Sequence, residues 1–237
     1  MKRFFAVLAI GATATAATVL TAMPSYAAVS CTGPMTNMTI VGTVNVPAGG
    51  HCQLENVNVQ GSITVQPGGG LQLALSEVHG NVTATNPTGF RMAVGQSNVA
   101  GVDTVYGNVT VSGTSAASMG NNAICRSRIT GNLSVTGTTA PFFAMGGANT
   151  PPAQPNQCNP ISGFPHGESL IGGDVTIARN AAHMDFHWNQ IAGNLTVNGN
   201  TGTGSLTDNT VGGNLTCTAN SSGYVTSPNS VAKNNTC

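Results

Sequence analysis

The sequence predicts an all-β protein: a right-handed, single-stranded parallel β-helix of about eight coils, with three short strands per coil. Three observations predict it. The pentapeptide Gly193-Asn194-Leu195-Thr196-Val197 has close copies at 42–46, 61–65, 80–84, 107–111, 131–135, 173–177 and 213–217. The glycines advance by 19, 19, 27, 24, 42, 20 and 20 residues, a unit near 20 that is lengthened in places, as in a solenoid. Within each copy apolar and small polar residues alternate, which is the period of a strand. Each unit also carries two further apolar stations. One lies two residues before the glycine, at Ile40, Val59, Val78, Val105, Ile129, Ile171, Ile191 and Val211, with Val231 as a ninth. The other lies about halfway round, at Leu54, Leu73, Met92, Phe186, Leu206 and Val225. Three stations separated by turns close one coil, and charged helix formers are almost absent.

Taken in order, residues 1–27 have the layout of a secretory signal, with basic Lys2 and Arg3, an apolar run from Phe4 to about Leu20, and a cleavage site at Ser25-Tyr26-Ala27. A lipobox at Ala28-Val29-Ser30-Cys31 is the alternative, but it lacks the usual leucine and would leave five cysteines, one unpaired. Residues 28–237 form one β-helix domain. Residues 28–41 cap the first coil, small insertions are expected at about 86–104 and 113–127, and a long proline-rich insertion at 138–170, holding Phe142 and Phe143, is expected to fold back on the coil flank. Strict register returns over 173–233.

The corner glycine is expected to accept a positive φ and to keep side chains out of the stacked turn. Leu195 and Val197 and their equivalents then form two inward columns. Asn189, Asn209 and Asn229, one unit apart, are expected to stack as an amide ladder. Six cysteines in an exported chain give three disulfides, and since distant coils never meet, local pairs are expected: Cys31–Cys52, Cys125–Cys158 and Cys217–Cys237.

Without the leader, five basic residues face seven acids, a net charge of −2. That balance offers nothing to nucleic acid or to anionic membranes, and a monomer is expected. There is no nucleophile elbow, P-loop, dinucleotide fingerprint or zincin motif. Ionisable groups concentrate at His166, Glu168, Arg179, His183, Asp185 and His187, beside Trp188. The alternation turns Met184, Phe186 and Trp188 inward and His183, Asp185 and His187 outward. Three readings stay open. Asp185 and His187 with His166 can take a divalent metal, the one cofactor the sequence suggests. Asp185 can orient His183 or His187 for acid–base catalysis, with Glu168 and Arg179 near by. The side chains can also simply pair across a solvated strand.

The outward side of the main strand offers hydroxyls and amides, among them Thr83, Thr110, Thr176, Asn194, Thr196, Asn214 and Thr216. With rungs about 4.8 Å apart this array suits carbohydrate polymers or cell wall, with Trp188 as an aromatic contact, and the threonine files also resemble those of ice-binding solenoids. Soluble, β-compatible residues on an outer face are the structural alternative.

The phrase Val/Ile-x-Gly-Asn-Leu/Val-Thr-Val, together with the ending 211–237, resembles small secreted right-handed β-helix proteins of Gram-positive, actinobacterial type. That resemblance implies fold and export. The architecture is also similar to that of pectate lyases, which use clustered acids with calcium and a basic proton acceptor. Here the main face holds one acid, Asp174, and no lysine.

Overall fold

The computed structural model describes residues 28–93, 101–118, 122–147, 158, 162–163, 165–226 and 228–237. The segment 1–27, expected to be a secretory leader, and most of the 148–161 stretch lie outside the described residues. Every paired strand is parallel, and the chain winds as a β-solenoid of nine coils.

Face one is a ten-stranded sheet in which the repeated pentapeptides lie over one another in chain order. Leu195 sits over Val175 and Val197 over Ile177, and the same register runs through Leu133, Val109, Val82, Ile63 and Val44. These aliphatic side chains are 0–1% exposed, so each rung buries two of them. At about 25 cal/mol per Å² of apolar surface, one such side chain contributes roughly 2 kcal/mol. The stack continues one strand beyond the repeats at each end, with Val29–Ser30 before Val44 and Asn235–Thr236 after Leu215.

The other two faces belong to one sixteen-stranded sheet. They are joined because His51–Val59 crosses the corner without a break, pairing first with Gly70–Ala74 and then with Glu77–Val78. Beyond it the sheet divides. Face two continues through Gly89–Met92, Asn122–Ile124, Phe142–Gly146, His183–His187, Gly204–Thr207 and Tyr224–Val225. Face three continues through Asp103–Val105, Ser127–Ile129, Leu170–Ile171, Gln190–Ile191, Thr210–Val211 and Ser230–Val231. The corner between them is turned by left-handed residues that are not glycine: Asn37, Asn56, Leu75, Ala93, Arg126, Trp188 and Asp208, with φ of 40–61°. For leucine, alanine, arginine and tryptophan that conformation costs about 1–2 kcal/mol, which the pairing of the adjoining strands offsets.

The repeat glycine has a different reason from its expected positive φ. Of the corner glycines only Gly42 has one, at 111°. At Gly193 a Cβ would stand 2.7 Å from the carbonyl oxygen of Gly173, one rung below, and would overlap Asp174 Oδ1. Close approach of consecutive rungs requires the glycine.

The insertions are shorter than the sequence suggests. Phe142–Gly146 is a regular face-two strand, in register with Asn122–Ile124 and His183–His187, and Phe143 and Met145 point into the core. Phe90 and Ile124 do the same within the two smaller expected insertions. The long insertion therefore lies between Gly147 and Glu168 and does not begin at 138. Its apolar start obeys strand alternation, but the irregular spacing of the repeats on either side hid the register. Cys158 bridges back to Gly147. With Ala93, Ala123, Cys125 and Ala144, and with Phe142 against them, it forms a small apolar cluster separate from the main core.

All three expected disulfides are present: Cys31–Cys52, Cys125–Cys158 and Cys217–Cys237. Cys31 follows the first face-one strand and is wholly buried with Cys52, closing the N-terminal end of the core. Cys217 extends the inward column over Val197, and its bond to Cys237 closes the last coil.

Candidate functional site

Face one carries three outward files, and they are not equivalent. The file next to the repeat glycine is occupied by the fold itself. Its side-chain oxygens accept the backbone N–H of the next rung, from Asn108 to Asn81 (2.8 Å), Asn132 to Asn108 (2.8 Å), Asp174 to Asn132 (2.8 Å), Asn194 to Asp174 (2.7 Å), Asn214 to Asn194 (2.9 Å) and Asn234 to Asn214 (3.2 Å). Asn194 and Asn214, expected to meet a ligand, are thus members of a ladder.

The middle file is Thr64, Thr83, Thr110, Ser134, Thr176, Thr196 and Thr216, opposite one another on successive rungs. Among the described residues no hydroxyl of this file is hydrogen-bonded to another protein group. Beside it runs a third file of Thr85, Ser112, Thr136, Ala178, Asn198 and Thr218 in the same register. Hydroxyls thus repeat about every 4.8 Å along the axis, with their donors and acceptors turned to solvent.

On face two, His183–His187 places His183, Asp185 and His187 on one side, as alternation requires. Asp185 Oδ1 lies 3.1 Å from His183 Nε2 and 3.7 Å from His187 Nε2. Each outer imidazole nitrogen meets a threonine of the next rung, His183 Nδ1 at 2.7 Å from Thr203 Oγ1 and His187 Nδ1 at 2.8 Å from Thr207 Oγ1. Thr207 donates its one proton to Asp208 Oδ2 (3.0 Å), so His187 Nδ1–H must be the donor to Thr207. That leaves His187 Nε2 facing Asp185.

The other expected members of this cluster lie elsewhere. The His166 ring stacks flat on the Trp188 indole, with centroids 4.1 Å apart. The His166 N–H donates to Glu168 Oε2 (2.8 Å), so Glu168, 5% exposed, fixes the return of the insertion. Arg179 is an exposed left-handed residue at the corner after face one. Trp188 does not point inward as alternation suggests; it turns the next corner, with φ 61°, and is half-buried. The metal set of His166, Asp185 and His187 is not assembled, because His166 is held against Trp188. Among the described residues no three histidine, cysteine, aspartate or glutamate side chains gather to hold an ion.

The expected Asn189–Asn209–Asn229 ladder is present and longer than expected. Asn189 N–H donates to Asn209 Oδ1 (2.9 Å) and Asn209 N–H to Asn229 Oδ1 (3.0 Å). It continues backwards as Ser169 N–H to Asn189 (3.0 Å) and Ser127 N–H to Ser169 Oγ (3.3 Å), then through Asp103, the partner of Ser127, to Ser76. A parallel ladder joins Thr138, Asn180, Asn200 and Asn220 at the opposite corner.

Asp103, unmarked in the sequence reading, is wholly buried in this column. Burial raises its carboxyl from 3.8 to about 6, against the lowering effect of the Ser76 and Ala93 N–H groups and the Arg126 charge. Arg126 is also buried and donates to the carbonyls of Ala93 and Gly101. The pair fastens the neck of the insertion between Ala93 and Asp103. Its spacing signal was available: Asp103 stands two residues before inward Val105, as Ser76 does before Val78.

No protein-family model matches this chain, and neither a curated protein nor a solved structure is similar to it at a significant level.

Proposed function

We propose that this protein is an exported β-solenoid that works as a binding module, docking uncharged carbohydrate polymers on face one. The observation that carries the reading is the middle file from Thr64 to Thr216: one unpartnered hydroxyl per rung over seven in-register rungs of one parallel sheet. A regular polymer with hydroxyls along its edge can meet such a file through many weak, repeated hydrogen bonds, each worth about 1 kcal/mol. Three disulfides and no free cysteine suit an oxidising exterior, and the basic-then-apolar leader supports export. The resemblance to small secreted actinobacterial β-helix proteins belongs to the same reading.

The test is co-sedimentation of the oxidised protein with cellulose, chitin and isolated bacterial cell wall. Retention on at least one polymer is expected, with about a tenfold loss in the outward double variant Thr110→Lys/Thr176→Lys. Absence of the wild type from all three pellets would end the reading.

A second reading is acid–base catalysis on a polysaccharide, favoured by the carboxylate of Asp185 held between two imidazoles. Release of reducing ends or unsaturated products by the wild type, lost in Asp185→Ala, would support it. No product from any polymer would exclude it.

A further inference from the structure

Face three holds a trough of about 570 Å³ that spans four successive rungs. It exists because of what stands in the file just past the inward Val/Ile station. On the earlier coils that file reads Val41, Gln60, His79, Tyr106 and Thr130; on the later ones it reads Gly172, Ala192, Gly212 and Ala232. The floor is therefore bare over the second half of the solenoid. One wall is the outward file Arg128, Leu170, Gln190 and Thr210. The file of Tyr106, half-exposed and stacked on His79 at 4.9 Å, rises at the N-terminal end, beside Thr130.

We infer that this trough is a second carbohydrate site, which takes a single uncharged oligosaccharide chain lying along the solenoid axis. The inference rests on the carbohydrate reading above and adds a place and a mode. The exposed lining is apolar at Leu170, at Ala192 and along the bare backbone of Gly172 and Gly212, above Ile129, Ile171 and Ile191, which are 1–3% exposed and belong to the core. Gln190 and Thr210 add uncharged hydrogen-bonding groups, Thr130, whose hydroxyl donates to the Tyr106 carbonyl, an acceptor oxygen, and Arg128 a guanidinium on the first rung. A sugar ring has the matching surface, with apolar C–H faces and a rim of hydroxyls, and an aromatic ring such as Tyr106 packs against those faces. An extended peptide fits less well. It binds a sheet through unpaired backbone groups, and here the backbone is already used: Gly172 N–H donates to Ile129, Ala192 N–H to Ile171 and Gly212 N–H to Ile191. Only side chains remain to read a ligand, and the trough runs across the strands.

The experiment is calorimetric titration of the full oxidised chain with cellohexaose, chitohexaose and xylohexaose. Ala192 is exposed and already has a Cβ, so Ala192→Tyr fills the trough without touching the core. Binding of at least one hexasaccharide is expected, weakened about tenfold or more by Ala192→Tyr and several-fold by Tyr106→Ala and by Gln190→Ala. Gly33→Ala, which lies in neither surface and whose added Cβ meets nothing within 4 Å, is expected to bind it as the wild type does. Unchanged melting and circular dichroism show that the variants fold. Equal affinity in wild type and Ala192→Tyr overturns the trough. So does failure of all three hexasaccharides to bind; if polymers are still retained through face one, the trough alone fails. Hexasaccharide binding without polymer retention keeps the trough and removes the face-one reading.

Discussion

At the scale of single residues, the polar column at the face two–face three corner fixes where each rung sits. Asn209 accepts from the Asn189 backbone and side chain and donates to the Phe186 carbonyl (2.9 Å), all in a wholly buried position. Asn209→Ala leaves those groups buried and unpaired, and the expected loss is about 3 kcal/mol in urea unfolding. Asp103 gives the column a pH dependence. Its folded value, about 6, stands above the ordinary 3.8, so folding takes up a proton between them. The stability due to this group is fully present below the ordinary value and is lost as the pH rises through the folded one. Unfolding midpoints measured from pH 7 down to 4.5 are expected to rise more steeply for the wild type than for Asp103→Asn, which is neutral throughout. Parallel curves would show that Asp103 does not titrate in this window.

At the scale of elements, the governing fact is how closely one rung lies on the next. Gly193→Ala puts a methyl 2.7 Å from the Gly173 carbonyl oxygen and is expected to cost about 2 kcal/mol, whereas Gly33→Ala, whose Cβ meets nothing within 4 Å, is expected to change little. A smaller difference between the two in thermal unfolding would remove close approach as the reason for the repeat glycine. This is also the scale at which the sequence is most legible. The face-one strands, the Val/Ile station of face three and the three disulfides follow from period, alternation and locality. Ile124 and Met145 were missed because insertions broke the spacing around them, although both continue the face-two column from Met92 to Phe186. The site was less legible. Alternation places His183, Asp185 and His187 together, but it cannot reveal that His166 stacks on Trp188 or that Asn194 and Asn214 are occupied by neighbouring backbone. Those contacts depend on how an insertion returns and on which corner a residue turns, neither of which is periodic.

At the scale of the whole molecule, the solenoid is closed at one end by a buried disulfide and at the other by one that joins half-buried Cys217 to exposed Cys237. Val225 is 56% exposed on the last coil, and Cys217–Cys237 holds that coil to the one before. Replacing both cysteines by serine is expected to cost about 3 kcal/mol. Amide exchange is expected to speed up over 213–237 and to stay unchanged in the coils before it, since each coil touches only its neighbours. The proposed binding surface depends on the same stacking, because a file of hydroxyls exists only if the rungs lie in register. All native cysteines are paired, so spin labels on Thr64→Cys and Thr216→Cys report those two positions alone. Pulsed electron–electron resonance between them should give about 29 Å, six rung steps of about 4.8 Å each. A single distance near that value is the predicted result; a broad distribution, or a distance below about 20 Å or above about 40 Å, would contradict the in-register stack.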